Sequence, residues 1–165
     1  MAKIVIIYGS TMGNTQSVAE AIESAMSSHE VELLEVANAS KDDFEKADLL
    51  LLGSSTWGAG DLQDDWECAL DTLKEASLSG KKVALFGCGD ADSYCDTFAD
   101  AVGILYETVS EAGANVIGAT STEGYTHTES RAEVNGEFVG LALSDSSSDN
   151  DSRIAAWCDA LNAQI

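Results

Sequence analysis

Short, almost continuously apolar runs alternate along this chain with stretches that have the spacing of amphipathic helices. Lys3–Tyr8, Ala47–Gly53 and Lys81–Phe86 are rich in Val, Ile and Leu, as strands buried on both faces of a parallel sheet are. Val31–Val36 alternates in part between apolar and polar residues, and Asn115–Ala119 is a further short predicted strand. Five strands separated by helices predict a doubly wound α/β fold, with helices on both faces of a parallel sheet.

Helices are predicted where apolar residues recur three and four positions apart. The predicted helices span Gly13–Ser28, Ala39–Glu45, Gln63–Glu75, Asp96–Ala112 and Ser152–Ala163. Gly113 follows the fourth helix in the position of a C-terminal cap. In the first helix, the residues predicted to face inward are Val18, Ala21, Ile22 and Ala25.

The stretch 120–136 is polar and contains the turn signal Asn135–Gly136, and an apolar run, Glu137–Leu143, follows it. We interpret residues 120–142 as an insertion that interrupts or follows the last strand, with Glu137–Leu143 as one more strand. No repeat or second core is evident, so residues 1–165 are predicted to form a single domain.

The chain is strongly acidic, with 29 Asp and Glu against 8 Lys and Arg and a formal net charge of −21. Nucleic acids and anionic membrane surfaces attract basic proteins, so the charge argues against both as partners. Two interpretations of the acidity remain open: steering toward basic partner surfaces, or general solvation and adaptation to salt.

The four cysteines, Cys68, Cys88, Cys95 and Cys158, contain no CxxC pair, and only two histidines accompany them. No metal site is therefore predicted, and the thiols are interpreted as reduced packing residues of a cytoplasmic protein. His29 and His127 are expected at the surface. Residues 1–10 lack the features of a signal peptide, and the apolar runs are too short to span a bilayer.

The loop Gly9–Thr15 joins the first strand to the first helix and is crowded with hydroxyl, amide and glycine residues. In parallel sheets, ligands bind at the carboxyl ends of the strands, and the free N–H groups at a helix start attract phosphate. The loop has no lysine, so it is not the GxxxxGKS loop of nucleotide triphosphatases, and it is not GxGxxG. It predicts a phosphate site in preference to an ordinary capped helix start.

Two more loops leave the same predicted edge. Ser54–Gly60 places Trp57 between small residues, and Gly87–Tyr94 combines a GxG pair with a second aromatic side chain. A phosphate cradle beside two aromatic residues suits a flat ring held between Trp57 and Tyr94.

In these three loops the sequence resembles the flavodoxins, and the resemblance covers essentially the whole chain. Ser10–Thr15 matches the phosphate motif of the family, and Ser55–Gly58 matches the loop that covers one face of the flavin. Gly87–Asp90 with Tyr94 matches the loop that covers the other face, while 120–143 resembles the insertion that splits the fifth strand in long-chain members.

The resemblance implies a five-stranded parallel sheet of order 2-1-3-4-5 with non-covalently bound FMN at its edge. It implies a low-potential one-electron carrier that shuttles between semiquinone and hydroquinone and passes electrons from a reductase to acceptor enzymes. No Ser-His-Asp, Cys-His or paired-carboxylate set is evident in the sequence, so no catalytic residues are predicted. The cofactor-binding residues implied are Ser10, Thr11, Met12, Gly13, Asn14, Thr15, Ser55, Thr56, Trp57, Gly58, Ala59, Gly60, Cys88, Gly89, Asp90 and Tyr94.

Acidic residues accompany the second and third loops, without lysine or arginine. They are Asp61, Asp64, Asp65, Glu67, Asp90, Asp92 and Asp96. Like charges in a partly desolvated site raise the cost of an anionic hydroquinone, so the second electron is expected at low potential. The stretches 61–75 and 90–100 are also where we expect basic redox partners to dock.

Two rival functions can be compared with this interpretation. An FMN-dependent quinone or azo reductase must admit a nicotinamide donor and a substrate over the flavin, where Trp57 and Tyr94 are expected to leave little room. A phosphoacceptor receiver domain needs acidic residues after its first strand and an aspartate after its third, but Tyr8–Gly9 and Gly53–Ser54 occupy those places.

The resemblance generates a prediction for Gly58, whose carbonyl would turn toward the flavin N5 in the semiquinone. Glycine tolerates the backbone change with little steric cost, whereas a β-branched residue does not. We expect Gly58→Val to lower the yield of the neutral semiquinone in an anaerobic reductive titration followed by visible absorption. An unchanged yield would contradict this role for Gly58.

Overall fold

The computed structural model describes residues 3–9, 14–57, 61–62, 64–89, 100–121, 130–134, 136–144 and 150–164. The strands are β1 (Lys3–Gly9), β2 (Glu30–Glu35), β3 (Leu49–Trp57), β4 (Asp61–Leu62), β5 (Lys82–Gly89), β6 (Asn115–Ile117), β7 (Thr120–Ser121), β8 (Glu133–Val134), β9 (Glu137–Phe138) and β10 (Leu141–Ser144). The helices are α1 (Asn14–Ala25), α2 (Lys41–Glu45), α3 (Asp64–Glu75), α4 (Asp100–Glu111) and α5 (Asn150–Asn162), and Val36–Asn38 forms a 3-10 turn.

The main sheet has its strands in the order β2-β1-β3-β5, and its fifth position is shared by two short strands. β6 pairs with the beginning of β5 at Lys82–Ala84, and β10 pairs with the end of β5 at Phe86–Gly89. All of these pairings are parallel. The sheet order 2-1-3-4-5 with a split last strand is therefore confirmed.

Between β6 and β10, the chain forms a small antiparallel sheet of order β7-β9-β8. Val139 N–H donates to the Ala132 carbonyl at 2.8 Å, and Thr120 Oγ1 donates to the Gly140 carbonyl at 2.7 Å. These bonds connect the small sheet to the chain that enters β10. The insertion thus has its own hydrogen-bonded structure and is also attached to the main sheet.

The apolar runs are continuous because both faces of the central strands are buried. In β1, Val5 and Ile7 pack into the core on the side of α3 and α4, whereas Ile4 and Ile6 pack on the side of α1 and α5. All four are fully buried. Each such side chain contributes about 1.5–3 kcal/mol through the hydrophobic effect, so a polar residue at any of them would be costly.

Three details differ from the expectations drawn from sequence. Ala25 is exposed, because the inward stripe of α1 continues through Ala19, Ile22 and Met26. His29 is half-buried, and its Nε2 lies 2.8 Å from Asn162 Oδ1, which joins the chain after α1 to α5. His127 lies outside the described residues.

The third difference concerns Glu137–Leu143, which forms two strands instead of one. The break falls at Gly140, where a Cβ would lie 2.1 Å from the Leu85 carbonyl oxygen. The chain therefore passes directly over the backbone of β5 as it leaves the small sheet, and a residue with a side chain does not fit there. No helix within the described ranges is long and apolar enough to cross a membrane.

Two buried indoles attach helices to glycine carbonyls of the sheet region. Trp66 Nε1 in α3 donates to the Gly53 carbonyl at 2.6 Å, and Trp157 Nε1 in α5 donates to the Gly118 carbonyl at 2.7 Å. Both indoles are almost completely buried. The two helices, which cover opposite faces of the sheet, are thus held by the same kind of bond.

We expect Trp66→Phe and Trp157→Phe each to lower the free energy of unfolding by about 1–3 kcal/mol, because a buried hydrogen bond and packing volume are lost. Urea denaturation followed by far-UV circular dichroism measures the change. Ala25→Gln, at an exposed position of α1, is the control and should change stability by less than about 0.5 kcal/mol. Equal stabilities for the indole variants and this control would contradict the anchoring role.

Candidate functional site

The carboxyl ends of the three central strands lie level with one another. Gly9 at the end of β1 pairs with Ser54 of β3, and Ser54 pairs with Gly87 of β5. Ser55 pairs with Cys88 in the same register. The three loops singled out in the sequence therefore start from adjacent points on one edge, as their composition predicted.

The second loop is built as a hairpin on that edge. Thr56 and Trp57, the last residues of β3, pair antiparallel with Leu62 and Asp61 of β4. Residues 58–60 connect the two strands. The backbone of β3 thus continues past the end of β1 and pairs with β4 before α3 begins.

Close backbone packing supports the edge. A Cβ on Gly53 would lie 2.2 Å from atoms of the Phe86 ring, and the indole of Trp66 is bonded to the Gly53 carbonyl. A Cβ on Gly87 would lie 2.5 Å from the Ser54 carbonyl oxygen and from Val102 Cγ2. Gly87, the first glycine of the GxG pair, is therefore required for packing between β5, β3 and α4.

Thr15 lies in the first turn of α1, the helix that follows the first loop. Its side chain is fully buried, and within the described part of the chain its Oγ1 has no hydrogen-bond partner. Leaving a buried hydroxyl unbonded costs about 1–3 kcal/mol. A hydroxyl in this state, beside the open N–H groups of a helix start, is prepared to donate to an anion.

The charges at the helix starts favour the same conclusion. The first turn of α1 contains no acidic residue. By contrast, the first turn of α2 contains Asp42 and Asp43, that of α4 contains Asp100, and that of α5 contains Asp151. Acidic residues stabilise the positive end of a helix dipole. In a chain with a net charge of −21, the start of α1 is left without them, so its dipole is available to an external anion.

Cys88 is buried behind the edge, on the face covered by α1 and α5. It lines a groove of about 270 Å³ together with Ser17, Val18 and Ala21 of α1 and Asn150, Asp151 and Ile154 of α5. None of the three cysteines described by the structure is in a disulfide. The side chain of Cys88 therefore packs beside the sheet, while its backbone pairs at the edge.

Two ionisable groups in the core on the side of α1 and α5 are held in their neutral forms. Burial raises the pKa of the Tyr8 phenol at the end of β1, and the carboxylates of Glu35 and Glu20 raise it further. Burial raises the pKa of the Cys158 thiol to about 11, with a smaller contribution from the charge of Asp159. Neither group supplies a nucleophile or a negative charge at neutral pH.

The structure describes the predicted site residues to different extents. Thr15 and Cys88 are described with their side chains, and Asn14, Ser55, Thr56, Trp57 and Gly89 by their backbone. Nine lie outside the described residues: Ser10, Thr11, Met12, Gly13, Gly58, Ala59, Gly60, Asp90 and Tyr94. The sequence did not reveal the supporting roles of Trp66 and Gly53, although a tryptophan on the apolar stripe of α3 was a signal of tight packing.

Comparisons with known proteins agree with this arrangement. A family model described as flavodoxin matches residues 6–157. A flavodoxin of Synechocystis sp. is 42% identical over 160 residues, covering 95% of this chain and 94% of the relative. A flavodoxin of Nostoc sp. is 42% identical over 165 residues, covering 99% of this chain and 97% of the relative.

Solved structures give the same result. The crystal structure of Fusobacterium nucleatum flavodoxin bound to flavin mononucleotide matches with a TM-score of 0.95 at 29% identity, covering 100% of this chain and 99% of that one. Oxidised flavodoxin 2 from Bacillus cereus matches with a TM-score of 0.77 at 30% identity, covering 99% of this chain and 100% of that one.

The unbonded hydroxyl of Thr15 generates a prediction for the ligand-free protein. Thr15→Val removes a buried hydroxyl that has no partner, so stability should stay equal or rise by up to about 1 kcal/mol. Added inorganic phosphate should raise the melting temperature of the wild type more than that of this variant. Differential scanning fluorimetry in phosphate and in a phosphate-free buffer adjusted with sodium chloride to equal ionic strength measures both effects.

Thr108→Val is the matched control, because Thr108 is also buried but its Oγ1 donates to the Ile104 carbonyl at 2.9 Å. This variant should lose about 0.5–1.5 kcal/mol and keep the response to phosphate. A Thr15→Val protein that loses as much stability as Thr108→Val and responds normally to phosphate would contradict the anion site.

Proposed function

The chain belongs to the flavodoxin family, and from this we infer that it is an electron carrier, not an enzyme, that works with non-covalently bound FMN. The observation within the chain that carries the inference is the buried, unbonded hydroxyl of Thr15 at a helix start free of acidic residues. A phosphate group fits both features. FMN supplies the one-electron chemistry, and the protein supplies the binding site and its electrostatics.

We propose that the phosphate is held without any cationic side chain. The donors would be Ser10, Thr11, Asn14 and Thr15, with backbone N–H groups that include those of Met12 and Gly13. Among these side chains, the proposal depends on Thr15, because the described part of the chain shows that its hydroxyl is buried and has no hydrogen-bond partner. A neutral cradle binds a phosphate through oriented dipoles and adds no positive charge to the site.

We propose that the ring system lies between Trp57 and Tyr94. Cys88, Gly89 and Asp90 would contact its pyrimidine edge, where β5 ends. The remaining contacts would come from the hairpin beyond β3, through Ser55, Thr56, Gly58, Ala59 and Gly60. Support comes from the level ends of β3 and β5 and from the β3–β4 pairing, because both segments start from adjacent strands at one edge of the sheet.

The negative charges around the site would lower the affinity of the bound cofactor for added electrons. α3 follows the hairpin directly, and its residues Asp65 and Glu67 are exposed near the start of the helix. Negative charges near a partly desolvated site disfavour further negative charge on a bound group. We propose that this repulsion keeps the bound cofactor a strong electron donor.

As a member of this family, the protein passes electrons between redox partner proteins. We propose that these partners dock by basic surfaces onto the acidic side of α3, where Asp65, Glu67, Asp71 and Glu75 are exposed. Charge complementarity of this kind accelerates encounter more than it strengthens binding, which suits a carrier that must also dissociate. We further propose a cytoplasmic monomer in which residues 1–165 form one domain and about 120–142 form its insertion.

The phosphate assignment predicts how two flavins respond to one substitution. Thr15→Val should weaken FMN binding by roughly 10- to 150-fold, since a buried hydrogen bond to a charged group is worth roughly 1.5–3 kcal/mol. Riboflavin, which lacks the phosphate, should bind wild type and variant equally. Fluorescence titration of the ligand-free protein with each flavin gives both dissociation constants, and Thr108→Val is the control expected to change neither.

A second measurement separates the carrier from a flavin-dependent quinone reductase. The FMN-loaded protein should not oxidise NADPH in the presence of a quinone unless a separate flavoprotein reductase is added. With the reductase present, transfer to cytochrome c, a basic acceptor, should slow as salt is raised. Sustained NADPH oxidation without the reductase would show that the protein is an enzyme.

A further inference from the structure

A groove of about 330 Å³ lies between the second half of α4 and the small antiparallel sheet of the insertion. Tyr106 and Ser110 of α4 line one side of it, and Val134 and Glu137 of the β8–β9 hairpin line the other. The remaining lining residues are Ala114, Val116, Ala119, Phe138 and Val139. The volume is in the range of ligand-binding clefts, and the proposed flavin site makes no use of this groove.

The groove has apolar walls that extend to the surface. Phe138 and Val139 are buried, whereas Val134 is 37% exposed and is the large apolar side chain that remains open to water among the described residues. Ala119 is exposed as well. Covering apolar surface contributes about 25 cal/mol per Å². A group that enters the groove and covers Val134 is therefore stabilised by the hydrophobic effect.

The groove is held in shape by contacts between α4 and the return limb of the insertion, which we define as residues 130–134 and 136–144. Arg131 N–H donates to Oδ1 of the buried Asp100 at 2.7 Å. A Cβ on Gly103 would lie 2.4 Å from the Arg131 carbonyl carbon, so the limb packs directly on the helix backbone. A cleft that is already formed loses little conformational entropy when it is filled, which favours binding.

The face of the molecule around the groove is acidic. Segments α3, α4 and the return limb pack on the same apolar core and so form one face. Its exposed acidic residues are Asp65, Glu67, Asp71, Glu75, Glu107, Glu111, Glu133 and Glu137. These segments contribute two cationic residues, Lys74 and Arg131, and Arg131 is paired with Glu107 at 2.8 Å. An approaching protein therefore meets negative charge that surrounds an apolar opening.

The groove is close enough to the carboxyl edge of the sheet for one partner to cover both. Val116, which lines the groove, pairs with Val83 of β5, and β5 ends at Gly89. That part of the strand spans about 20 Å. An ordinary protein interface covers roughly 800 Å² of each partner, equal to a disc about 30 Å across. One docked protein can therefore fill the groove and extend to the edge.

We propose that this groove anchors the redox partner by receiving an apolar side chain of the partner that is flanked by lysine or arginine. The inference rests on the proposed function, in which basic partners dock on the acidic side of α3. Charge attraction accelerates encounter, whereas an apolar side chain seated in a groove fixes the position of the partner and slows its dissociation. The contribution of the carboxylates decreases as salt is raised, and the contribution of the groove does not.

Two pentapeptides of equal charge test the chemistry of the groove. Each has a pair of lysines on both sides of a central residue, which is leucine in one peptide and serine in the other. Each is titrated into the ¹⁵N-labelled, FMN-loaded protein and followed by NMR. The leucine peptide should bind about tenfold more tightly, as expected for burial of one apolar side chain, and should shift the amide signals of Val134 and Phe138.

Two variants at exposed positions of the groove test where the leucine binds. Val134→Asn removes an apolar wall, and Ala119→Leu fills the groove, so both should abolish the preference for the leucine peptide. A merely apolar surface would instead bind this peptide more tightly in Ala119→Leu. Ala25→Gln, on the opposite face of the molecule, is the control that should keep the preference. Thermal unfolding of each variant shows whether it is folded at the titration temperature.

The flavoprotein reductase of the preceding test shows whether a protein partner uses the groove. Val134→Asn should raise the KM of the reductase for the FMN-loaded protein about threefold at both low and high salt and leave kcat unchanged, because docking is weakened and the chemistry is not. Glu67→Gln, on the acidic side of α3, should raise KM at low salt alone.

The proposal is overturned if the two peptides bind equally well, or if folded Val134→Asn and Ala119→Leu both keep the preference for leucine. It is also overturned if Val134→Asn leaves the KM of the reductase unchanged. A wild-type protein that takes up no FMN would contradict the proposed function itself, and peptide titration of the FMN-free protein would still report on the groove.

Discussion

The level, parallel pairing of β1, β3 and β5 is the constraint on which the rest of the structure depends. Gly9, Ser54 and Gly87 share one register, and the missing side chains at Gly53 and Gly87 let the Phe86 ring and the Ser54 carbonyl approach the backbone. The segment that follows each strand therefore starts at the same edge of the sheet. Without this register, the proposed phosphate cradle and the aromatic residues of the other two loops could not form one site.

Electrostatics then determines what that edge can hold. A chain with a net charge of −21 repels anions in general, so binding a phosphate requires a local exception. The start of α1 is such an exception, since its first turn is free of acidic residues and Thr15 offers a buried donor. In the proposed function, the same acidity on α3 would disfavour negative charge beside the cofactor and attract basic partners. One charge distribution would then serve both the redox chemistry and the encounter.

The insertion divides one strand of the sheet and also contacts residues that border the proposed site. It divides the fifth strand into β6 and β10, and its return limb lies along the carboxyl half of β5 and over the start of α4. A segment inserted at the far edge of the sheet thus contacts both Gly89, the last residue of β5, and Asp100, the first residue of α4. The limb is attached mostly by backbone packing at Gly103 and Gly140. The ion pair of Arg131 is exposed and contributes little.

The amino-acid sequence by itself determined the strands of the main sheet and, to within a few residues, most helix boundaries. The ligand site at the carboxyl edge and the chemistry of the loops stay predictions from the sequence. Burial on both faces requires continuous apolar runs, and phosphate binding requires small, hydrogen-bonding residues at a helix start, so both are visible in local composition. Tertiary structure alone decided that Glu137–Leu143 breaks at Gly140, that Met26 rather than Ala25 faces inward, and that Asp100 meets Arg131. These features depend on contacts between residues that are distant in the sequence, and the local spacing of residues does not reveal such contacts.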